Sequence, residues 1–180
     1  MRVVRFLHGD QEHFGALEGD AVRVFDGNPL EGAMLGDGVV ALADCKLLAP
    51  VVPSKAICIG MNYAAHAAEI SQAVPDEPLM FFKPISAIIG TGEQIVLPHQ
   101  SNKVELEAEL TVVIGKTAKN ITVDQAAEHI FGYTIANDVT ARDLQFSDLQ
   151  WARSKGFDTF CPLGPWIETE YSATNKRVSS

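Results

Sequence analysis

Three glutamates at every second position, in the run Val104-Glu105-Leu106-Glu107-Ala108-Glu109-Leu110, carry more chemistry in their spacing than any other residues of the chain. A strand alternates its side chains, so Glu105, Glu107 and Glu109 share one face while Leu106, Ala108 and Leu110 share a face that reads as buried. Carboxylates two residues apart on a strand lie roughly 6 to 7 Å from each other and repel, most strongly where they are enclosed. A hard divalent cation removes that conflict. Mg2+ or Mn2+ takes oxygen ligands and keeps water in its remaining positions, so two glutamates and one further carboxylate suffice. Asp138, which ends the run Tyr133-Thr134-Ile135-Ala136-Asn137, is the candidate third ligand, because a strand terminus can aim a side chain into a site. The same alternation also suits a solvated strand edge whose charges discourage aggregation, and spacing alone leaves both readings open.

His66 and Glu69 stand three apart in an alanine-rich stretch, on one face of a helix and within hydrogen-bonding reach. A carboxylate beside an imidazole fixes its tautomer and supports the imidazolium, which is how a base for water or a carbon acid is built. A plain helix-surface contact fits the same spacing. Arg142 and Asp143, close behind Asp138, either pair locally or present the guanidinium to a substrate carboxylate. Lys155 could neutralise an oxyanion or carboxylate. His8, His13, His99 and His129 share no metal-ligand spacing, and no glycine-framed nucleophile accompanies them. Gly90-Thr91-Gly92 lacks the further glycine and the lysine of a phosphate loop, which disfavours a phosphotransfer enzyme.

Those residues need a scaffold, and 180 residues with 47% hydrophobic content can bury one core plus a small appendage. A net charge of -9 argues against nucleic acid and against an anionic membrane surface as partners. Cys45, Cys58 and Cys161 are odd in number and far apart, which fits a reducing cytoplasm better than a disulfide framework. The N-terminus turns polar too early for a signal peptide, and no apolar run reaches the roughly 20 residues of a membrane span.

Val3 to Phe6, Phe14 to Leu17 and Val22 to Phe25, separated by Gly-Asp pairs, predict three short strands in a small N-terminal β-rich domain, residues 1–48. The two prolines of Ala49-Pro50-Val51-Val52-Pro53-Ser54 favour an extended connector into a second, larger domain, 49–180. There, Lys55 to Gly60 is short and apolar, Asn62 to Ser71 predicts a helix, and Leu79 to Lys83 a strand. Leu106 to Ile114 is the clearest strand, Asp124 to His129 predicts a helix, and Phe131 to Asn137 a further strand. Trp151 to Thr159 reads as loop with a helical turn.

Taken together, Gly60-Met61-Asn62-Tyr63-Ala64-Ala65-His66-Ala67-Ala68-Glu69, Phe82-Lys83-Pro84 and Glu107 through Lys116 resemble the fumarylacetoacetate hydrolase family. Gly132-Tyr133-Thr134, Asn137 through Gln145, Lys155 through Thr159 and Pro162 through Trp166 follow in the family's order. The resemblance implies an α+β fold dominated by a mixed β-roll, a homodimer, and metal-dependent work on small oxo-acids or dicarboxylates. That work is acylpyruvate hydrolysis, oxaloacetate decarboxylation or isomerisation of a hydroxy-diene dioate. It matches Glu107, Glu109 and Asp138 to metal ligands, His66 with Glu69 to a proton-moving dyad on a lid, and Lys155 to the substrate's oxo-acid end. It adds Arg142 and Gln145 as pocket residues and sets Glu105 at the rim. Family members continue well past position 180, with a Thr-Gly-Thr-Pro-like loop and a Pro-Gly-Asp turn. A C-terminally shortened member with exposed sheet edges is therefore expected, and a catalytically silent metal- or ligand-binding fragment is the alternative.

Overall fold

Strand β1 (Arg2–His8) is the hub. Its alternation sends Val4 and Phe6 to one face and Val3 to the other, and all three are fully buried, so both faces are covered. Left-handed Gly9 and Gly19 turn the chain into β2 (Gln11–Glu18) and then β3 (Ala21–Phe25), as the Gly-Asp signals predict. A fourth strand, β4 (Leu35–Ala41), was not legible, because its Gly36, Asp37 and Gly38 are poor strand formers. β5 (Lys46–Leu47) returns to pair with β1.

The computed structural model describes residues 1–69 and 73–172. Past the proline-flanked connector come β6 (Ala56–Gly60), helix α1 (Ala64–Glu69) and β7 (Leu79–Lys83); the two strands keep close to the predicted bounds, and the predicted helix end at Ser71 lies outside the described residues. The strands β8 (Ile88–Ile89), β9 (Val104–Glu105), β10 (Ala108–Ile114), β11 (Ile130–Asn137) and β12 (Thr140–Ala141) follow. Helices α2 (Arg142–Ser147) and α3 (Ala152–Lys155) and strand β13 (Cys161–Glu168) complete the described chain. The main sheet runs β10-β11-β13-β1-β2-β3-β4, antiparallel along that path, with β8 parallel to β13. The N-terminal strands therefore continue the sheet that carries β10 and β11. β6 with β7 and β9 with β12 form two separate two-stranded pieces. The result is sheet-dominated, in keeping with the α+β expectation, and no described helix is long and apolar enough to cross a membrane.

Two expectations need correction. The predicted strand over Leu106 to Ile114 is broken: β9 ends at Glu105 and β10 begins at Ala108. The Asn137 side-chain oxygen takes the Glu107 N–H at 3.0 Å, and Glu107 O takes the Asp138 N–H at 2.8 Å. These bonds pull Glu107 out of the pleat, and Leu106, expected on the buried face, is 55% exposed. The helix over Asp124 to His129 is a 3-10 segment, Val123–His129, opened by a Gln125 side chain that accepts the Thr122 N–H.

Candidate active site

Asp138 leaves the end of β11 over a small core of Val139, Ala141 and Phe160, against which Leu144 of α2 and Phe157 pack. That packing buries the carboxylate, which is 5% exposed. Its Oδ1 accepts from Lys83 Nζ and its Oδ2 from Lys155 Nζ, both at 2.6 Å. Lys155 also donates to Glu107 Oε2 at 2.8 Å, and Lys83 to the Val139 carbonyl at 3.2 Å. Both lysines are 2% exposed, at the ends of β7 and α3. Arg142 opens α2 and bridges the glutamates: Nε donates to Glu105 Oε2 at 2.7 Å and Nη2 to Glu107 Oε1 at 2.6 Å, while Nη1 holds Gln145 Oε1.

This network sets the carboxyl groups apart. Burial pushes Glu107 upward, but Lys155 and Arg142 outweigh it and hold the group below the ordinary glutamate range. Arg142 and Lys103 hold Glu105 low as well. Glu109 goes the other way and is pushed up to about 7, by burial first and then by the Asp138 and Glu107 charges, with Tyr63 and Lys155 opposing. No Lys or Arg among the described residues forms a salt bridge with it. Lys83, Lys103, Arg142 and Lys155 thus divide among Glu105, Glu107 and Asp138, and among the described cations none pairs with Glu109.

A wall of aromatic side chains flanks the network. Lys155 Nζ stands 5.2 Å over the Phe81 ring, and Phe81 meets Trp151 edge-on at 5.5 Å. Trp151 precedes α3 and lies so close to Gly60 that a Cβ there would meet its ring at 2.8 Å, which explains the glycine at the end of β6. Beyond Gly60 the chain turns through Met61 at φ 56 into α1, and the Tyr63 hydroxyl accepts the Leu110 N–H at 3.1 Å.

Glu107, Asp138, Lys155, Arg142 and Gln145 therefore meet in one hydrogen-bonded cluster, with Glu109 beside it on β10. The backbone of α1 is helical from 64 to 69, whereas the His66 and Glu69 side chains lie outside the described residues. Among the described residues no three His, Cys, Asp or Glu side chains converge to metal-ligand distance, because ammonium groups hold both Asp138 oxygens and one of Glu107. The donor set nevertheless fits a hard cation: it is all oxygen, and the raised Glu109 marks negative charge without a counter-ion. Sequence reasoning missed Lys83. Its signal was present, since Leu79-Met80-Phe81-Phe82-Lys83-Pro84 places a lysine on the inward parity of an apolar strand, and such a lysine needs a buried partner.

The model of the fumarylacetoacetate (FAA) hydrolase C-terminal domain matches residues 55–178. The chain belongs to the fumarylacetoacetate hydrolase family. A second family model, Rv2993c-like, N-terminal, matches residues 1–50. Among curated relatives, human oxaloacetate tautomerase FAHD2A is 46% identical over 140 residues, covering 76% of this chain and 45% of its own length. The crystal structure of 5-carboxymethyl-2-hydroxymuconate delta-isomerase from Mycobacterium smegmatis is 44% identical with a TM-score of 0.88, over 96% of this chain and 68% of that one. Maleylpyruvate hydrolase from Sphingobium, solved with manganese(II) and pyruvate, is 28% identical with a TM-score of 0.71, over 94% of this chain and 67% of that one. The chain spans between 58% and 67% of the length of the first three curated relatives it matches.

Proposed function

We propose that this chain carries the metal-binding and catalytic residues of an enzyme acting on small oxo-acids, with Glu107, Glu109 and Asp138 holding Mg2+ or Mn2+. The observation that carries the reading is the meeting of Glu107 and Asp138 on Lys155, with Glu109 beside them on β10, in one all-oxygen donor set. A bound cation supplies Lewis acidity and fixed positive charge beside a 1,2-dioxo unit. Lys155, which rests on both Glu107 and Asp138, swings its ammonium to the substrate's oxo-acid end. Arg142, held by Glu105 and Gln145, orients a carboxylate at the pocket edge. His66, supported by Glu69, moves the proton at the reacting carbon or delivers water to a carbonyl. Phe81 and Trp151 exclude solvent from the Lys155 side.

Relatives named an oxaloacetate tautomerase, a 5-carboxymethyl-2-hydroxymuconate delta-isomerase and a maleylpyruvate hydrolase support work on small oxo-acids, and the reactions proposed for this site are acylpyruvate hydrolysis, oxaloacetate decarboxylation and hydroxy-diene dioate isomerisation. A mixed β-roll, a cytoplasmic homodimer and a division at 48/49 complete the reading. An assay panel of oxaloacetate, acylpyruvates and a hydroxy-diene dioate, run with Mn2+, with Mg2+ and with chelator, tests it. Metal-dependent turnover of one substrate class is expected; turnover that survives chelation sinks it.

The Lys83 and Lys155 contacts that fill Asp138 also favour a second reading, a metal- or ligand-binding module without turnover. Calorimetry that detects Mg2+ or oxalate binding in a protein inactive on the whole panel selects that one.

A further inference from the structure

Among the described residues β10 is the last strand of the main sheet, and no described strand pairs with its outward N–H groups. The outward N–H of Leu110 is taken instead by a side chain from another part of the chain, the Tyr63 hydroxyl, at 3.1 Å. The same hydroxyl faces the Glu109 carboxylate one residue earlier and opposes the rise of its pKa. Tyr63 sits one residue before α1, after the left-handed Met61 and the Gly60 that abuts Trp151. The entry to the helix is thus fastened at two points, one on the strand of Glu109 and one on the residue that starts the helix of Lys155.

We propose that Tyr63 is a positioning residue that ties the start of α1 to β10 and orients Glu109 toward the cation. The Glu109 half of this rests on the metal reading above; the tether to Leu110 does not. A ligand carboxylate that loses its outer hydrogen-bond donor binds metal about 10- to 100-fold more weakly in well-studied sites. α1 spans six residues, too few to hold itself helical without tertiary support, so the tether bears on its register.

Tyr63→Phe keeps the ring and removes the hydroxyl that takes the Leu110 N–H and faces Glu109. Amide hydrogen exchange of the metal-free 180-residue protein is expected to rise at least about fivefold over residues 61–69 while β1 to β4 stay at wild-type rates, the internal control for folding. Mn2+ titration followed by electron paramagnetic resonance is expected to show affinity weakened about tenfold at pH 7. Wild-type exchange over residues 61–69 in the variant overturns the tether. Unchanged Mn2+ affinity in a variant whose exchange has risen overturns the Glu109 half. A wild-type protein that binds no Mn2+ overturns the metal reading instead, and the exchange result still judges the tether.

Discussion

The N-terminal strands and the Asp138 neighbourhood place charge in opposite ways. In β1 to β4 the ion pairs lie on the surface: Arg5 reaches Glu12 at 2.7 Å and Arg23 reaches Glu18 at 3.3 Å, with both carboxylates at least half exposed. Beneath them Val3, Val4, Phe6 and Val22 are fully buried. Around Asp138 the order is reversed, and two lysines with almost no exposure face a buried carboxylate. Surface pairs contribute at most about 1 kcal/mol, whereas buried ions cost several kcal/mol to dehydrate, and an apolar replacement of equal volume is often as stable. The first region is held by apolar area. The second keeps its charges at the expense of stability, which is expected where charges do chemistry.

The sharpest test of this contrast is truncation in each region. Asp138→Ala leaves the buried Lys83 ammonium with no carboxylate partner and Lys155 with Glu107 alone, and should cost about 3 to 5 kcal/mol in denaturant unfolding, with loss of Mn2+ binding. Adding Lys83→Met and Lys155→Met should restore most of that stability and none of the binding. Phe6→Ala should cost a similar amount, about 3 to 5 kcal/mol, yet leave Mn2+ binding intact in the folded fraction. If the triple variant stays as unstable as Asp138→Ala, the buried ions are structural and the contrast fails.

A pH series is the next largest effect. The Glu109 carboxyl titrates near 7 in the folded chain against an ordinary 4.5, so between those values the folded chain holds a proton that the unfolded chain has released. Its contribution to stability therefore declines as pH rises through that window, by about 2 kcal/mol once solvent screening is discounted. Melting temperatures of metal-free wild type and Glu109→Gln should diverge between pH 5 and pH 8, with the variant flatter. Saturating Mn2+ should abolish the wild-type decline. Parallel curves would mean that Glu109 is not the proton-binding group.

Smaller effects probe the margins. Gly60→Ala drives a methyl against the Trp151 ring at 2.8 Å and should cost about 1 to 3 kcal/mol, with tryptophan fluorescence shifted. Arg23→Ala removes an exposed pair and should change stability by less than about 0.5 kcal/mol. A larger loss there would show that the surface pairs are not the passive decoration their exposure implies.

The strands carrying strong apolar alternation were legible in advance: Val3 to Phe6, Leu79 to Lys83 and Phe131 to Asn137 all fold as expected. Pattern reasoning failed where a local rule met a tertiary one. The Glu105 to Glu109 alternation is broken by an asparagine on the next strand, and β4 forms on sheet pairing that its own glycines do not favour. Within the candidate site, the alternation of Glu105, Glu107 and Glu109 was legible because it is local, whereas Arg142 and Lys155 took their places from the order of the family's motifs. Lys83 was not singled out, since its partner Asp138 lies 55 positions away.

Sequence alone therefore determined the donor types, the family and the order of the strands that present them. It did so because alternation and motif spacing are properties of neighbouring residues. Only tertiary structure decided which charge meets which: that Lys83 and Lys155 divide the two oxygens of Asp138, that Arg142 bridges Glu105 and Glu107, and that Glu109 is left uncompensated. Those facts depend on dehydration and distance between distant segments, and no reading of neighbours along the chain contains them.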